Sequence, residues 1–480
     1  MDLQVGTTGT NRFHSRKHWI SWFFLAFLSL LLLGNPNAAA QTRLVVRDSL
    51  GLPSLTNVCN LLGCSVLESV GDPDGQVFVV LLPKALDPVT TQLLLELNLG
   101  VVSVELDQIV LTQSANAGPP PSYLTDETPV SYYGTTVWHG YITQPAAQLI
   151  RNDATHSTFN AAGSGVIVAV IDTGVDPNNS VLQNSLLPGY DFTRNQSGGS
   201  EMSDVSQSTV AVLDGADAAQ VSQSTVAVLD QSTVAVLDGQ GYAAFGHGTM
   251  TSGIVHLVAP QAKIMPLKSF NADGSAYSSD ILRAIYYAAK NGANVINMSF
   301  NYTSYSQELA NAINYATNNG LICVAAAGNS GEQATVYPGA LKNVIDVAST
   351  SNSDIRSTFS NYGAPPVWLA APGEGVVTTY PFSTYAAGWG TSFSAPLVTG
   401  TVAEMLGIYD AQAGAQTSLS LGSISLSLSL SANSIGSPTS ESQAANSVAH
   451  AQPISDPQLG HGRLDSYQAV QWWRTTLGLK

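Results

Sequence analysis

The sequence predicts an α/β protein: a parallel sheet with helices on both faces, in a three-layer core, preceded by a small α+β module of the ferredoxin-like kind. Beyond residue 165, short apolar runs alternate with helical segments that end at glycine. Uninterrupted apolar strands separated by helices are typical of a parallel sheet covered on both faces. Between residues 43 and 111 the predicted order is strand, helix, strand, strand, helix, strand, which is typical of a split βαβ module. With 480 residues, 44% of them apolar, the chain is long enough to bury a large core.

The charge balance and the cysteine count exclude several classes of protein. The chain has 17 Lys and Arg against 33 Asp and Glu, a formal net charge of −16, so it is not expected to bind nucleic acid. Its three cysteines, Cys59, Cys64 and Cys323, are too few for a disulfide scaffold and lack zinc-ligand spacing. Pairing of Cys59 with Cys64 stays open because that spacing is awkward within a helix. Cys323 lies in an apolar strand and is expected to be a buried, inert thiol.

The first 40 residues have the order of a secretory signal peptide. Three basic residues precede an uncharged apolar run, Trp19 to Leu33, and Ala38-x-Ala40 offers a cleavage point. The run is short for a bilayer span, which needs about 20 residues. We therefore expect a secreted protein, with a membrane anchor through residues 19–33 as the alternative.

The expected α+β module occupies residues 41–112. Its strands are predicted at Leu44 to Val46, Ser65 to Val70, Val77 to Leu82 and Val101 to Leu106, with helices at Leu52 to Leu62 and from Asp87 and Pro88 to near Gly100. Residues 113–136 are rich in Pro and Ser and are expected to form an extended linker that is readily cut.

The larger domain is expected over residues 137–480. Its clearest strands and helices are Val166 to Ile171, Asp280 to Lys290, Val295 to Phe300, Glu308 to Thr317 and Leu321 to Ala327. Because ligands of such sheets bind at the carboxyl ends of the strands, polar residues at those ends are candidates for a site.

Two insertions interrupt this pattern. Residues 205–240 contain three copies of one octapeptide, Gln207 to Asp214, Gln223 to Asp230 and Gln231 to Asp238, too few for a solenoid. They predict an expanded surface loop with β tendency, and a calcium site formed by the aligned Asp214, Asp230 and Asp238 is the alternative. Residues 411–456 contain a Leu/Ser alternation from Ser418 to Ser431 and are interpreted as a low-complexity insert rather than a half-exposed strand.

Four polar residues stand where this fold would support chemistry. Asp172 directly follows an apolar strand, His247 lies between glycines before a helical run, Asn329 follows another strand, and Ser392 precedes a helix. Each has a structural alternative: a turn Asp, a structural His, a turn Asn and an N-cap Ser. Pro396 is expected within the first turn of the helix after Ser392. A second His between glycines, His461, has no helix following it and is a weaker candidate.

Taken together, the four residues are the parts needed for nucleophilic acyl transfer: a nucleophile, a base, a carboxylate that orients the base, and a donor for the oxyanion. An aspartic protease is excluded as a single-chain interpretation because Asp172-Thr173-Gly174 occurs without a second such motif.

At this point the chain resembles the subtilisin-like serine proteases (the subtilase family, peptidase S8). The resemblance lies in four blocks, Val168 to Asp176, Gly246 to Gly253, Ala325 to Gly331 and Gly390 to Pro396, and covers residues 137–410 and 460–470. It implies a serine-type endopeptidase, a hydrolase acting on proteins or peptides, with Asp172, His247 and Ser392 as triad and Asn329 as oxyanion donor. It also implies that residues 41–112 are similar to the family's propeptide, a folding chaperone and intramolecular inhibitor, so that the protein is a self-processing zymogen.

The resemblance further implies a substrate cleft between two segments, and departs from the family in three places. The cleft walls are expected from Ser299-Phe300-Asn301 and Ala326-Ala327-Gly328; since none of these is ionised, an uncharged, apolar or broad P1 preference is expected. No cofactor is needed for the chemistry; structural calcium is common in the family, but no ligands are assigned here. The departures are the 75 residues between Asp172 and His247, the Phe393-Ser394-Ala395 after the serine, and Asn301 at a position where a glycine often lines the cleft.

A rival hypothesis is an exported surface or binding module that keeps the fold and has lost catalysis. The presence of all four polar residues argues against it, since a binding module has no need of that set.

Overall fold

The computed structural model describes residues 42–112, 118–205, 226–228, 242–363, 367–413, 424, 428 and 458–478. The predicted signal peptide and anchor (residues 1–40), most of the octapeptide region with Asp214, Asp230 and Asp238, and nearly all of the Ser/Leu-rich insertion lie outside the described residues. The chain divides into two compact units, Met1–Gln108 and Ile109–Lys480.

The first unit is a four-stranded antiparallel sheet with two helices, in the order predicted for a small α+β module. The sheet order is β2-β3-β1-β4. Its elements are β1 (Thr42–Asp48), α1 (Leu52–Leu62), β2 (Ser65–Ser69), β3 (Val77–Leu82), α2 (Pro88–Glu96) and β4 (Val101–Leu106). The α2 helix begins as expected, because the Asp87 carboxylate accepts a hydrogen bond from the Thr90 N–H at 2.8 Å.

A disulfide joins Cys59 and Cys64 in this unit. Only Cys59 is in a helix: α1 ends at Leu62, and Gly63 has a left-handed conformation with φ of 82°. That reversal brings the two Cα atoms to 4.6 Å. The objection from helix geometry therefore does not apply, because the helix ends before the second cysteine.

The second unit contains the parallel sheet. Its strands are β5 (Ile109–Leu111), β6 (Pro129–Tyr132), β7 (Thr135–Trp138), β8 (Ile167–Asp172), β9 (Tyr190–Asp191), β10 (Gln196–Ser197), β11 (Val226–Val228), β12 (Lys263–Lys268), β13 (Ser275–Tyr277), β14 (Val295–Met298), β15 (Ile322–Ala326), β16 (Val344–Thr350), β17 (Leu369–Pro372), β18 (Val376–Tyr380) and β19 (Thr384–Gly388). Its helices are α3 (His139–Thr143), α4 (Pro145–Leu149), α5 (Asn152–Phe159), α6 (His247–Val258), α7 (Ser278–Lys290), α8 (Gln307–Asn318), α9 (Thr391–Ala413) and α10 (Ser466–Thr476).

The largest sheet has eight strands in the order β10-β9-β12-β8-β14-β15-β16-β17. The strands from β12 to β17 are parallel and almost entirely buried, which confirms the predicted α/β class. The register pairs Met298 with both Ile171 and Ala325. The ends of β8, β14 and β15, which lead into Asp172, Ser299 and Ala327, therefore lie side by side at one edge.

The helix that carries Ser392 differs from its prediction. The helix α9 begins at Thr391, so Pro396 lies beyond its first turn rather than within it. A proline there leaves the carbonyl of the residue four positions earlier, Ser392, without its helical N–H partner. That carbonyl instead accepts a hydrogen bond from the Ser299 hydroxyl at 2.9 Å, which compensates for the missing bond.

The stretch predicted as an extended linker is ordered into regular structure from residue 122 onward. A 3₁₀ turn, Ser122–Thr125, is followed by the hairpin β6–β7, whose turn uses Tyr133 and Gly134 at positive φ. Leu124 is fully buried, and the Tyr132 hydroxyl donates to the Leu257 carbonyl. Apolar and aromatic residues among the prolines explain the difference, because they pack on the second unit.

Other features of the second unit bear on the insertions and on membrane association. Val226–Val228, in the second octapeptide copy, forms a strand paired with β19. Ile424 and Leu428, in the Ser/Leu-rich stretch, are helical and buried in the main core. Within the parts of the chain that the structure describes, no helix has the length and apolar character to cross a bilayer, and no three His, Cys, Asp or Glu residues are grouped to hold a metal.

Candidate active site

Asp172 and His247 are joined by a hydrogen bond at the edge of the sheet. The Asp172 Oδ1 and the His247 Nδ1 are 2.7 Å apart. Asp172 is the last residue of β8, and His247 is the first residue of α6. Their separation of 75 residues in sequence is therefore closed by the fold.

The Asp172 carboxylate is held by two further donors. Its Oδ1 accepts from the Thr173 N–H at 2.7 Å, and its Oδ2 accepts from the Thr251 hydroxyl at 3.2 Å. Asp172 is 3% exposed, so these bonds replace water as the partners of the charge. The carboxylate is thus fixed in one orientation toward the imidazole.

The start of α6 depends on two glycines, one with a positive φ and one at a close approach to the backbone of another segment. Gly246 has φ of 87°, and a Cβ at Gly248 would collide with the Gly174 carbonyl. The turn after Asp172 and the first turn of the helix are therefore in direct contact. This explains the glycines on both sides of His247.

Burial and charge act in opposite directions on the His247 imidazole. Burial lowers its pKa, whereas the Asp172 charge, the hydrogen bond to Asp172 and the more remote Glu201 raise it. The net effect is a pKa above the usual value of 6.5. A histidine of this kind is a stronger base toward a hydroxyl proton.

Ser392 lies in the first turn of α9 and is 7% exposed. Its hydroxyl donates to the Ser299 carbonyl at 3.0 Å. Among the described residues it makes no hydrogen bond to His247, although the ring of the adjacent Phe393 lies 5.7 Å from the imidazole, centroid to centroid. To form a hydrogen bond with His247, this hydroxyl would have to leave the Ser299 carbonyl, and hydrogen bonds of this kind often tighten only in the substrate complex.

Asn329 follows β15 and faces the same helix start. Its Oδ1 accepts from the Thr391 N–H at 2.9 Å and from the Thr391 hydroxyl at 3.0 Å. These bonds place the Oδ1 of Asn329 against Thr391, so the Nδ2 is the donor end of the same amide. A Cβ at Gly390 would lie 3.3 Å from that Nδ2, so the amide lies beside the glycine two residues before Ser392.

The residues expected to form the cleft walls lie at the ends of neighbouring strands. Ser299, Phe300 and Asn301 follow β14, while Ala326, Ala327 and Gly328 end and follow β15. A Cβ at Gly328 would meet the Asn361 Nδ2 at 2.5 Å and the Asn301 amide at 3.2 Å. The Asn301 Oδ1 and the Asn361 Nδ2 are buried and have no hydrogen-bond partner among the residues that the structure describes. Two uncharged amides thus flank this part of the site.

A short strand occupies the edge of β13. β5 (Ile109–Leu111) pairs antiparallel with Ser275–Tyr277, and the Thr112 N–H donates to the Gly274 carbonyl at 2.9 Å. Val110 is 1% exposed within this pairing. The edge therefore binds an extended segment by strand addition.

Several residues in this arrangement were not identified from the sequence. Thr251, Thr391 and Asn361 were not singled out, and Glu201 is a fully buried carboxyl beside the Asp172 turn. Thr251 and Thr391 lie in the same sequence blocks as His247 and Ser392, and this closeness in sequence could have indicated that they belong to the site. Glu201 lies in a loop and has no pattern around it that marks a role.

The weaker candidate, His461, lies elsewhere in the hydrogen-bond network. Its ring centroid is 4.8 Å from that of Trp368, and the backbone N–H of His461 donates to the Trp368 carbonyl. Partial burial lowers its pKa. None of these contacts is with the four candidate residues.

Comparison with known proteins gives consistent relationships. The model of the subtilase family matches residues 163–447. Thermitase from Thermoactinomyces vulgaris is 32% identical over 250 residues, which are 50% of this chain and 74% of thermitase. Subtilisin BL from Lederbergia lenta is 35% identical over 167 residues, 33% of this chain and 62% of that protein. A thermophilic serine proteinase from Bacillus sp. (strain AK1) is 34% identical over 50% of this chain and 52% of its own.

A solved structure described as a lanthipeptide protease superposes with a TM-score of 0.51 at 23% identity. The match covers 67% of this chain and 93% of that one. At this identity the likeness concerns the fold.

Proposed function

Because the chain belongs to the subtilase family of serine endopeptidases, we propose that it is a secreted, self-processing enzyme that hydrolyses peptide bonds through Asp172, His247 and Ser392. The observation that carries the proposal is the 2.7 Å hydrogen bond between the Asp172 carboxylate and the His247 Nδ1. It joins two residues from distant parts of the chain in the relation that a carboxylate and a general base require.

In the proposed reaction, the Ser392 hydroxyl rotates toward His247 and attacks the peptide carbonyl carbon. Its proton passes to the free imidazole nitrogen, Nε2, while Asp172 accepts the hydrogen bond from Nδ1 and stabilises the imidazolium. The carbonyl oxygen becomes an oxyanion, to which the Asn329 Nδ2 and the Ser392 N–H donate. The imidazolium then protonates the departing amine, which leaves an ester on Ser392. Water, deprotonated by His247, hydrolyses that ester and restores the serine.

Two contacts support a precursor that processes itself. The segment after the first unit is added as a strand to β13 through Ile109–Leu111, which is how an extended substrate would bind. Further along, a Cβ at Gly118 would lie 2.9 Å from the Trp389 indole nitrogen, three residues before Ser392. The chain before residues 113–117 thus contacts β13, and the chain after them contacts Trp389. We place maturation within residues 113–136, with residues 41–112 acting as propeptide and inhibitor.

The cleft residues favour an uncharged P1 side chain. Phe300, Ala326 and Ala327 are buried and apolar, and Asn301 and Asn361 are polar but neutral. A charged side chain placed among them would lose its hydration without gaining an ion-pair partner there.

The test compares wild type with Ser392→Ala. Wild type is expected to react with a fluorophosphonate probe and to convert its precursor to a shorter form, and Ser392→Ala to do neither. Ser394→Ala, two residues along the same helix, serves as a matched control that should behave as wild type. N-terminal sequencing of the exported product locates the cut. Equal labelling and processing of wild type and Ser392→Ala would contradict the proposal and favour a non-catalytic surface module.

A further inference from the structure

Glu201 is a fully buried carboxyl group next to the Asp172 and His247 pair. It lies in a short 3₁₀ turn, Glu201–Asp204, and has no solvent exposure. A buried glutamate needs partners for both oxygens, because water cannot reach it. Here the partners come from the two segments that carry the proposed catalytic acid and base.

One oxygen of Glu201 contacts both segments at once. Its Oε2 accepts from the Thr173 hydroxyl at 3.0 Å and from the Gly246 N–H at 2.8 Å. Thr173 directly follows Asp172, and Gly246 directly precedes His247. The single atom therefore connects the neighbour of each member of the pair.

The other oxygen extends the connection along α6. The Thr249 hydroxyl donates to Oε1 and in turn accepts from the Asp176 N–H at 2.8 Å. On the Oε2 side, the Thr173 hydroxyl likewise accepts from the Gly248 N–H at 2.9 Å. Each threonine hydroxyl thus accepts a hydrogen bond from a backbone N–H of the other segment and donates one to the Glu201 carboxyl group. Two of these hydrogen bonds, from the Gly248 N–H to Thr173 and from the Asp176 N–H to Thr249, run directly between the Asp172 turn and the His247 helix.

Burial and a nearby ammonium group act in opposite directions on the Glu201 carboxyl group. Burial raises its pKa to about 8, against the effect of its hydrogen bonds and of Lys268, which lower it. Lys268 is itself buried, with its ammonium donating to the Thr173 carbonyl, the Phe270 carbonyl and Asp204. Asp172, His247, Asp176 and Asp204 are further ionisable residues of this network, and the Glu201 charge is among the influences that raise the pKa of His247.

We propose that Glu201 is a positioning residue for the reaction: its carboxyl group holds the Asp172 turn and the first turn of the His247 helix in the register that the 2.7 Å hydrogen bond needs. Glu201 does not touch substrate. It acts through Thr173, Gly246 and Thr249, and its negative charge, when present, adds to the basicity of His247. This inference rests on the proposed function, since it concerns the same site.

Glu404 provides a control that separates this role from the general effect of losing a buried carboxyl group. Glu404 is also a fully buried glutamate, and burial raises its pKa to about 7. Glu404 lies in α9, and its ion-pair partner is His156 of α5, at 3.1 Å, rather than the Asp172 turn or the first turn of α6. Glu404→Gln therefore removes a buried carboxyl group from the same unit and leaves the hydrogen bonds of Glu201 in place.

The experiment measures kcat, KM and the pH dependence of kcat/KM for wild type, Glu201→Gln, Glu201→Ala and Glu404→Gln, with Ser392→Ala as the inactive reference. Displacement of catalytic groups by about 1 Å costs up to about 10²-fold in rate, so Glu201→Ala is expected to lower kcat by on the order of 10- to 100-fold with KM nearly unchanged. Glu201→Gln keeps an oxygen for Thr173 and Gly246 and should recover most of kcat. Because the pKa of Glu201 is about 8, the wild-type carboxyl group is largely neutral over the acidic limb, so Glu201→Gln should keep that limb close to its wild-type position. Glu404→Gln should keep the wild-type kcat and acidic limb.

The outcomes separate the inference from the proposed function. If Glu201→Ala fails to fold, Thr249→Val, which removes the donor to Oε1 and keeps the carboxyl group, decides through its kcat. A wild-type kcat in the variant that folds, or an equal loss in Glu404→Gln, would overturn the positioning role while Ser392-dependent activity persists. If wild type and Ser392→Ala do not differ at all, the proposed function itself fails.

Discussion

Ser299 and Ser392 are joined by two hydrogen bonds that run in opposite directions. The Ser299 hydroxyl donates to the Ser392 carbonyl at 2.9 Å, and the Ser392 hydroxyl donates to the Ser299 carbonyl at 3.0 Å. The first bond satisfies a carbonyl that the helix cannot, because Pro396 has no N–H to offer it. The second holds the proposed nucleophile until substrate arrives. The end of β14 is thereby attached to the start of α9.

This relationship predicts that Ser299 and Pro396 are energetically coupled. Ser299→Ala leaves the buried Ser392 carbonyl without a partner, which costs about 1–3 kcal/mol in the free energy of unfolding. In the double variant Ser299→Ala, Pro396→Ala, the new N–H at position 396 can reach that carbonyl as in a regular helix. The double variant should therefore lose less stability than Ser299→Ala alone.

The measurement is urea unfolding of the four proteins in a Ser392→Ala background, which prevents self-digestion and keeps the carbonyl. Changes that simply add, with no coupling between positions 299 and 396, would contradict the explanation given for Pro396.

A second prediction concerns Asn329, the proposed oxyanion donor. Asn329→Ala should lower kcat by about 10²–10³-fold with little change in KM, the loss known for a side-chain donor of this kind in a subtilisin. Thr391→Val removes one of the two bonds that fix the Asn329 oxygen and leaves the N–H at 2.9 Å, so its loss should be smaller.

Steady-state kinetics on a peptide substrate checks the order of these effects. Thr401→Val, a buried threonine in the same helix whose hydroxyl donates to the Leu397 carbonyl, is the control for a lost hydroxyl. Equal losses in all three variants would assign the effect to the helix and not to Asn329.

A third prediction follows from the pKa of His247, which stands above 6.5 because the Asp172 charge and hydrogen bond outweigh burial. The base must be neutral to accept the Ser392 proton. Activity should therefore be lost as the pH falls through this raised pKa, with an acidic limb above pH 6.5. Asp172→Asn should lower kcat by on the order of 10⁴-fold and the pKa of His247 as well.

The kcat/KM profile gives the limb, and the NMR titration of His247 in Ser392→Ala and in Asp172→Asn, Ser392→Ala gives the pKa directly. A pKa that stays the same after loss of Asp172 would show that the carboxylate does not set it.

Much of the fold could be predicted because local patterns and the final packing agree. The helix Leu52–Leu62 and the strands Val77–Leu82 and Val101–Leu106 have the predicted bounds, since caps, glycines and apolar runs mark them. Asp172 and Asn329 could be placed at one edge because parallel strands deliver their carboxyl ends there.

Other features depended on contacts that no local pattern encodes. Glu201 lies in a loop and acquires its role only when the segments around Thr173 and Gly246 meet. The helix α9 begins earlier than predicted relative to Pro396. The sequence does not show this, because the group that hydrogen-bonds the Ser392 carbonyl comes from Ser299, 93 residues away. The hairpin at residues 129–138 was hidden by neighbouring prolines, although Tyr132 and Leu124 pack into the core.

The last prediction concerns the side chain that precedes the cleaved bond. Wild type should prefer uncharged P1 residues over Lys, Arg, Asp and Glu, because the walls after β14 and β15 offer no opposite charge. Asn301→Asp places a carboxylate next to Gly328, where the Asn301 amide now lies 3.2 Å from the position of a Cβ. That change should raise kcat/KM for Lys and Arg at P1 relative to Leu by about 10-fold, which corresponds to about 1.4 kcal/mol for the new charge pair. Asn352→Asp, an exposed asparagine whose amide donates to the Glu374 carbonyl, controls for an added charge elsewhere. A peptide library with varied P1 residues measures both preferences. A wild-type preference for Lys or Arg, or an Asn301→Asp variant with an unchanged profile, would show that the side chain is bound by other residues than these.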